Sequence, residues 1–291
     1  MIDFTNCQEL VSTYGGSEKK KKILYNGSEY LVKFPDPIRE TGNSLSYMNN
    51  QFSEYIGCHI LGSLGLVVQE TILGIYNDNG KEKAVVACKD FTDNNIELIE
   101  FTKFANSITK IDNKFVSSIE DVYSIVQNSD LIKNKEEVIE KFWDLFVADA
   151  LIGNPDRHLD NWGLIYNVKN NSCEFSPIYD CGSCLHALLS YEKKKELLNN
   201  PTEMKNISYN LKSAYLLNNK RVFYAEIFKN PSDDLKKAIL RIVPKIDMIK
   251  INDIIDNTPF IDDIEKEFFK QSIKIRKELI IDKAYNKLLK N

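Results

Sequence analysis

The 291-residue sequence has no apolar run that approaches the roughly 20 residues needed to cross a bilayer. Its first residues show no basic segment followed by an apolar one, so no secretory signal is predicted and we expect a cytoplasmic protein. It also lacks an excess of positive charge: 38 basic and 42 acidic side chains give a net charge of −4. Because nucleic acids and anionic membranes attract basic surfaces, neither is expected to be the main partner.

Cysteine is scarce, since six in a chain of this length do not make a disulfide framework. Cys7, Cys58 and Cys88 stand singly among apolar residues and are expected to be buried thiols. Cys181 and Cys184 form a Cys-x-x-Cys pair without a second pair at zinc-finger spacing, so metal or redox chemistry is the weaker alternative there. The Gly-x-Ser-x-Gly and His-Glu-x-x-His signatures are also missing, which removes the commonest hydrolase and metalloprotease assignments.

The most informative segment is Asp156-Arg157-His158-Leu159-Asp160-Asn161, in which a carboxylate precedes an asparagine by five positions. Downstream, Asp180-Cys181-Gly182 supplies a second carboxylate followed by a glycine. Phosphoryl transfer from ATP needs one carboxylate to orient the attacking hydroxyl, and an asparagine with another carboxylate to hold Mg²⁺. The protein-kinase catalytic loop has the same Asp-to-Asn spacing, and its metal-binding triplet is Asp-x-Gly. The pattern therefore predicts Asp156 as the catalytic carboxylate and Asn161 and Asp180 as metal ligands.

The other residues of this segment have more than one interpretation. Arg157 is expected to balance charge or support the loop, and Asp160 to lie on the surface. His158 either packs as a scaffold residue, which we favour, or helps to stabilise the transferring phosphate. His186 has no partner at ligand spacing and is assigned to packing. The alternative for the whole segment is a polar turn that closes a helix, but the second motif at 180–182 argues against it.

Candidates for nucleotide binding lie upstream. Lys33 is near the end of a predicted strand, where a kinase lysine contacts the α and β phosphates, and Glu54 on the following helix is placed to orient it. The small residues Gly15, Gly16 and Ser17 precede that strand and allow backbone N–H groups to approach phosphates closely. The alternatives are an exposed strand lysine, a solvated glutamate and a plain turn. The downstream motif favours the functional interpretation of all three.

Secondary-structure patterns change at about residue 92. Before it, residues 22–25 and 29–34 flank Asn26-Gly27, which is a strong hairpin signal, and a helix capped by Ser44 is expected over 44–63. After it, helical spacing covers 117–127, 135–152, 190–199, 204–217, 232–242 and 261–289, with short strands at 163–166 and 173–175. The sequence predicts an α+β, two-lobed, protein-kinase-like fold, with a β-rich N-lobe (1–92), a largely helical C-lobe (93–291) and a cleft between them.

Residues 153–161, Gly-Asn-Pro-Asp-Arg-His-Leu-Asp-Asn, resemble the Gly-Asn-x-Asp-Arg-His-x-x-Asn motif of the HipA-like serine/threonine kinases, including the shorter CtkA-like members. Residues 176–180 resemble the Pro-x-Tyr-Asp metal-binding segment of that family, and residues 12–19 resemble its Ser-x-x-Gly-x-x-Glu-Lys phosphate loop. The resemblance implies a bacterial kinase that uses ATP and Mg²⁺ to phosphorylate proteins, and often itself. By position it implies ATP binding by Lys33 and regulatory phosphorylation of Ser12.

The sequence departs from the family in several places. Ser17 stands where the family usually has glutamine, and Cys181 replaces the usual middle residue of the metal-binding triplet. The phosphate loop begins almost at Met1, so the extra N-terminal subdomain of full-length HipA toxins is not expected. An antitoxin-like partner that binds DNA is therefore not expected either. The acceptor is expected to be a protein whose identity the sequence does not encode.

Two rival functions stay open. Phosphoinositide kinases also use Asp-Arg-His-x-x-Asn, but the acidic balance and the lack of a basic amphipathic segment argue against a lipid kinase. A catalytically inactive kinase fold that serves as a binding module is the second rival. The joint presence of Lys33, Asp156, Asn161 and Asp180 argues against that module.

Overall fold

The computed structural model describes residues 1–11, 19–35, 49–109 and 118–290. The predicted phosphate-loop residues lie outside this part of the chain, as does the predicted helix cap, so the fold does not test them; they are Ser12, Gly15, Gly16, Ser17 and Ser44.

A five-stranded antiparallel sheet occupies the first part of the chain. Its strands are β1 (Gln8–Leu10), β2 (Lys20–Tyr25), β3 (Ser28–Lys33), β4 (Thr71–Asp78) and β5 (Lys81–Lys89), in the order β1-β2-β3-β5-β4. The β2–β3 hairpin turns at Asn26 and Gly27, both with positive φ, as the sequence predicts. Asn79 and Gly80 make the matching turn between β4 and β5. Such Asn-Gly turns follow the right-handed twist of the strands.

Helix α1 (Asn50–Ser63) packs on this sheet against β4 and β5. Its apolar side chains, among them Ile56 and Ile60, are completely buried. The helix ends two residues before Gly65, whose φ of +79° suits a left-handed position after a helix. The helix predicted over 44–63 is thus confirmed for residues 50–63.

The rest of the chain is largely helical. The helices are α2 (Phe101–Thr109), α3 (Ile119–Asn128), α4 (Lys135–Ile152), α5 (Tyr191–Leu198), α6 (Pro201–Tyr209), α7 (Tyr224–Lys229), α8 (Asp233–Ile242), α9 (Met248–Asp256), α10 (Asp263–Arg276) and α11 (Asp282–Leu288). A 3₁₀ turn covers Val243–Lys245, and a π-helical turn, Lys277–Ile281, joins α10 to α11. Strands β6 (Ile96–Glu100), β7 (Gly163–Asn167) and β8 (Ser172–Phe175) form a three-stranded antiparallel sheet. In the described ranges, no helix is both long and apolar enough to span a membrane.

The helix predicted over 204–217 is wrong in its second half. Helix α6 ends at Tyr209, and β9 (Lys212–Leu217) pairs with β10 (Lys220–Phe223) in an antiparallel hairpin. The turn residues Asn218 and Asn219 both have positive φ, a conformation that asparagine tolerates better than most residues. The apolar spacing before them fits a short strand as well as a helix, so the helix predicted from periodicity alone was wrong here.

Helix α4 runs through the centre of the helical part. From Val138 to Ile152 nearly all of its residues are buried, because other elements pack around it on most sides. Phe142 and Phe146 contact the ring of Tyr215 on β9, and Phe142 also contacts Trp162. The helix ends at Gly153, whose φ of +69° makes a left-handed cap. After this cap the chain continues directly into the segment that contains Asp156.

Candidate active site

Two carboxylates predicted for the site, Glu54 and Asp180, meet at the predicted lysine, Lys33. The Lys33 ammonium, on β3, lies 3.0 Å from Oε2 of Glu54 on α1 and 3.0 Å from Oδ1 of Asp180. The Glu54 side chain is fully buried, and the Asp180 side chain is about one-third exposed, at 37%. The sheet, helix α1 and the segment after β8 therefore converge at this point, as the sequence predicts.

The opposite charges of Lys33 and of the carboxylates around it stabilise one another. Burial on its own would lower the pKa of Lys33, but the carboxylates of Asp180 and Glu54 outweigh it and raise that pKa well above its ordinary value. For Asp180, burial raises the pKa, and the stronger combined effect of Lys33 and Arg157 lowers it overall. Lys33 is therefore charged and Asp180 ionised at neutral pH.

A cavity of about 390 Å³ opens beside this cluster, where the five-stranded sheet faces the helical part. It is lined by Lys20, Leu31, Lys33, Gln69, Asp90, Phe91, Leu98, Glu100, Lys103, Asp160, Asn161, Tyr179 and Asp180. Lysines and carboxylates thus share the cavity with apolar side chains and aromatic rings. Such a lining suits a ligand with a flat apolar part and an anionic part.

Asp156 lies at the edge of this region, with its side chain about half exposed. The Asn161 amide nitrogen donates to the backbone carbonyl of Asp156 at 2.8 Å, which leaves Oδ1 of Asn161 as its ligand atom. The Ser183 hydroxyl donates to Oδ2 of Asp156 at 3.2 Å. Asn161 and Asp180 offer the hard oxygen donors that Mg²⁺ prefers, and both line the cavity, so this donor set fits the metal.

His158 is partly exposed and lies between two carboxylates. Its Nε2 is 3.8 Å from Oδ1 of Asp156, and its Nδ1 is 3.6 Å from Oδ2 of Asp160. The backbone N–H of Asp160 also donates to Nδ1 at 3.3 Å. These contacts lie within the loop itself, and the role of His158 stays a prediction.

Arg157 joins the two motifs from inside the protein. Its side chain is fully buried, and its Nε donates to Oδ2 of Asp149 on α4 at 3.0 Å. Its Nη1 donates to the carbonyl of Asn161 at 2.7 Å, to that of Asp180 at 3.1 Å and to that of Tyr179. The sequence assigned Arg157 a structural or charge-balancing role, and these contacts agree with it.

More distant residues also support the catalytic segment. Arg276 on α10 is fully buried, and it donates from Nε to the carbonyl of Leu151 at 2.9 Å and from Nη2 to that of Ile152 at 3.1 Å. A Cβ on Gly153 would lie 2.6 Å from Cζ of Arg276, so only glycine fits there. The Tyr224 hydroxyl donates to the carbonyl of Asn154 at 2.6 Å.

Sequence reasoning missed Arg276 and Tyr224. Neither belongs to a motif, and each lies at least 70 residues from the backbone it contacts. No local signal could have found them, because these contacts exist only once the helices have packed.

Cys181 and Cys184 are fully buried next to Glu54 and Gly57. The backbone N–H of Cys181 donates to Oε1 of Glu54 at 3.1 Å, and the Cys184 thiol donates to the carbonyl of Ser53 at 3.3 Å. Burial raises the pKa of Cys184. Within the described ranges no cluster of three or more His, Cys, Asp or Glu residues could hold a metal ion. Through these contacts the pair packs the segment that follows β8 against α1.

Known proteins resemble this chain in sequence over most of its length. Residues 12–239 match the family described as the HipA-like C-terminal domain. The chain is 40% identical to the serine/threonine-protein kinase CtkA of Helicobacter pylori strain J99, over 99% of this chain and 89% of that protein.

Solved structures give the same relationship. The crystal structure of a Helicobacter pylori proinflammatory kinase CtkA superposes with a TM-score of 0.91 at 39% identity, and the match covers 99% of this chain and 98% of that one. HipA from Shewanella oneidensis MR-1, in a complex with HipB and operator DNA, shares the fold at a TM-score of 0.56 and 15% identity, over 96% of this chain and 67% of that one. These relatives confirm the predicted α+β, kinase-like fold, and the chain belongs to the family of HipA-like C-terminal domains.

Proposed function

We propose that this chain is an ATP- and Mg²⁺-dependent protein serine/threonine kinase of the HipA-like type. The observation that carries the proposal is the meeting of Lys33, Glu54 and Asp180 at 3.0 Å contacts beside a cavity that Asn161 also lines. Three distant segments of the chain supply these groups. A kinase requires the same combination of a lysine–glutamate pair and metal-binding oxygens.

Each side chain then has a role. Lys33 binds phosphate oxygens of the nucleotide, and Glu54 holds its ammonium in place from the buried side. Asn161 and Asp180 would hold Mg²⁺, which would supply positive charge to neutralise the transferring phosphoryl group. Asp156 orients the acceptor hydroxyl and accepts its proton. We expect removal of any of these groups to lower the rate of phosphoryl transfer strongly while the protein stays folded.

The two predicted lobes supply different parts of the proposed site. Strands β1–β5 and α1 lie before residue 92 and supply Lys33 and Glu54, whereas Asp156, Asn161 and Asp180 come from the helical part. The loop of Ser12, Gly15, Gly16 and Ser17 leads into β2, which pairs with the lysine strand. We propose that it covers the phosphates and that Ser12 is a regulatory acceptor.

Two variants test the assignment directly. Asp156→Asn and Asp180→Asn each keep the shape of the side chain and remove its charge. We expect each to lower transfer of labelled phosphate from ATP by about 100-fold or more. Asp233→Asn, an exposed carboxylate at the start of α8, is the matched control and is expected to keep full activity.

Acceptors separate the rival functions. Lysate proteins and phosphoinositide vesicles are offered in parallel, and we expect the label on proteins only. Label on lipid would favour the lipid kinase. Stabilisation by Mg-ATP in a thermal-shift assay, without transfer to any acceptor, would favour the inactive binding module. Normal turnover in both variants would remove the kinase assignment.

A further inference from the structure

We infer that Ser183 is an acceptor for the chain's own phosphoryl transfer, an inference that rests on the proposed function. Its hydroxyl donates to Oδ2 of Asp156 at 3.2 Å. A general base must lie within about 2.6–3.2 Å of the hydroxyl it deprotonates. Ser183 therefore already makes the contact that the proposed mechanism requires of an acceptor hydroxyl.

The backbone on both sides of Ser183 is fixed. Before it, the N–H of Cys181 donates to buried Glu54 at 3.1 Å, and after it the Ser53 hydroxyl donates to the carbonyl of Cys184 at 2.8 Å. The N–H of Cys184 also donates to the carbonyl of Cys181 at 3.0 Å. Cys181 and Cys184 are fully buried, whereas Ser183 is partly exposed. Fixed neighbours hold its hydroxyl against Asp156 and so reduce the entropic cost of reaction.

The proposed phosphate-binding groups lie close to this hydroxyl. Asp180 is three residues earlier in the chain, and its carboxylate contacts Lys33 at 3.0 Å. Arg157 ties the carbonyl of Asp180 to that of Asn161 through one nitrogen, Nη1. Asp180 and Ser183 therefore belong to one short segment, which Arg157 ties to Asn161. We therefore expect the Ser183 hydroxyl to reach the terminal phosphate of a nucleotide bound at Lys33.

The reaction is an ordinary transfer from ATP. The Ser183 oxygen forms a bond to the γ-phosphorus while the bond between that phosphorus and the β–γ bridging oxygen breaks. The Ser183 proton passes to Asp156, and ADP leaves. The product carries nearly two negative charges directly beside Asp156. Because like charges repel at this distance, we expect phosphorylated Ser183 to block the acceptor site and to lower activity.

Mass spectrometry tests the inference. The 291-residue chain is incubated with Mg-ATP and digested with trypsin, which is expected to release residues 170–193. This peptide contains Ser172, Ser176, Ser183 and Ser190, so fragmentation must locate the phosphate. We expect it on Ser183. Ser190 is the internal control, because its hydroxyl oxygen accepts from the backbone N–H of Lys193 at the start of α5.

A mixing experiment tests whether the transfer is intramolecular. The contact between Ser183 and Asp156 lies within one chain, so the rate should be independent of protein concentration. Asp156→Asn protein, made with heavy isotopes, is incubated with the active chain. We expect no phosphate on Ser183 of the heavy chain. Phosphate there would show transfer between molecules and would overturn the intramolecular reaction.

Activity after preincubation gives a second readout. The wild-type protein should lose transfer to lysate proteins in proportion to the phosphorylated fraction, whereas Ser183→Ala should keep its own starting rate. ADP formation with phosphate elsewhere but none on Ser183 would overturn this inference and leave the kinase assignment intact. The absence of ADP and of any phosphoprotein would instead contradict the proposed function.

Discussion

The guanidinium of Arg157 lies 3.0 Å from the carboxylate of Asp149, and neither side chain has appreciable contact with solvent. Burial raises the pKa of Asp149 and Arg157 offsets part of that rise, whereas Asp149 raises the pKa of Arg157 well above its ordinary value despite burial. The pair connects helix α4 to both motifs of the site. It therefore links the stability of the helical core to the placement of Asn161 and Asp180.

We expect Arg157→Met to lower the free energy of unfolding by about 3–5 kcal/mol, because it leaves Asp149 buried without its partner. Urea denaturation measures the change. Lys141→Met, on the same helix as Asp149, is the control: that lysine pairs with Glu137 at the surface and should contribute about 1 kcal/mol at most.

The double variant Arg157→Met with Asp149→Leu separates stability from activity. It should recover much of the lost stability, since neither charge stays buried alone. It should not recover phosphoryl transfer, because the carbonyls of Asn161 and Asp180 still lack their donor. Full activity in the double variant would show that these two contacts do not position the site.

Lys33→Met should abolish most nucleotide-dependent activity while the protein stays folded. The variant removes the cation that we assign to phosphate binding and leaves Glu54 and Asp180 without it. We expect the thermal shift caused by Mg-ATP to fall and transfer to drop about 100-fold or more. Lys89→Met, which breaks an exposed pair with Glu70, should behave like wild type.

His186 should make stability depend on pH. Burial, with help from the nearby cations Arg276 and Lys194, lowers its pKa from 6.5 to about 3. The unfolded chain therefore binds the proton first, so the stabilisation is complete above about pH 6.5 and is lost as pH falls towards 3. The slope from this group is at most about 1.4 kcal/mol per pH unit.

Denaturation of wild type and His186→Gln between pH 4 and 7 measures this dependence. The variant cannot titrate at this position, so its stability should fall less steeply as the solution is acidified. Parallel curves for the two proteins would show that His186 is solvated and ordinary.

Arg276→Met should lower kcat with little change in the KM for ATP. The arginine holds the carbonyls of Leu151 and Ile152 just before the segment that contains Asp156, and it does not line the cavity. A small misplacement of catalytic groups costs up to about 100-fold in rate. Lys274→Met, at an exposed position of the same helix, is the control. A rise in KM without a fall in kcat would contradict a positioning role.

Local chemistry explains which features the sequence could predict. The Asn26-Gly27 hairpin follows from the backbone preferences of two residues, and helix α4 follows from its apolar spacing and its terminal glycine. The pairing of Lys33 with Glu54 could be predicted, because kinases pair a lysine on such a strand with a glutamate on a following helix. Strand β9 was missed because a short apolar run fits both periods.

The support for the site could not be predicted in this way. Asp149 and Tyr224 contact residues of the segment 153–161, and Arg276 contacts the end of α4 just before it. These contacts arise from the packing of elements that share no sequence pattern with that segment. A buried arginine looks the same in sequence as an exposed one. Only the packed helices show that its cation faces carbonyl oxygens and not water.

Helix α10 lies wholly beyond residue 239, where the match to the family ends. A fragment that stopped at this boundary would retain Lys33, Glu54, Asp156, Asn161 and Asp180. It would nevertheless lose the guanidinium of Arg276, which donates to the carbonyls of Leu151 and Ile152 just before Gly153. Because α10 also packs against α4, α5 and α6, we expect such a fragment to lose part of its core, so a working enzyme should need residues beyond this boundary.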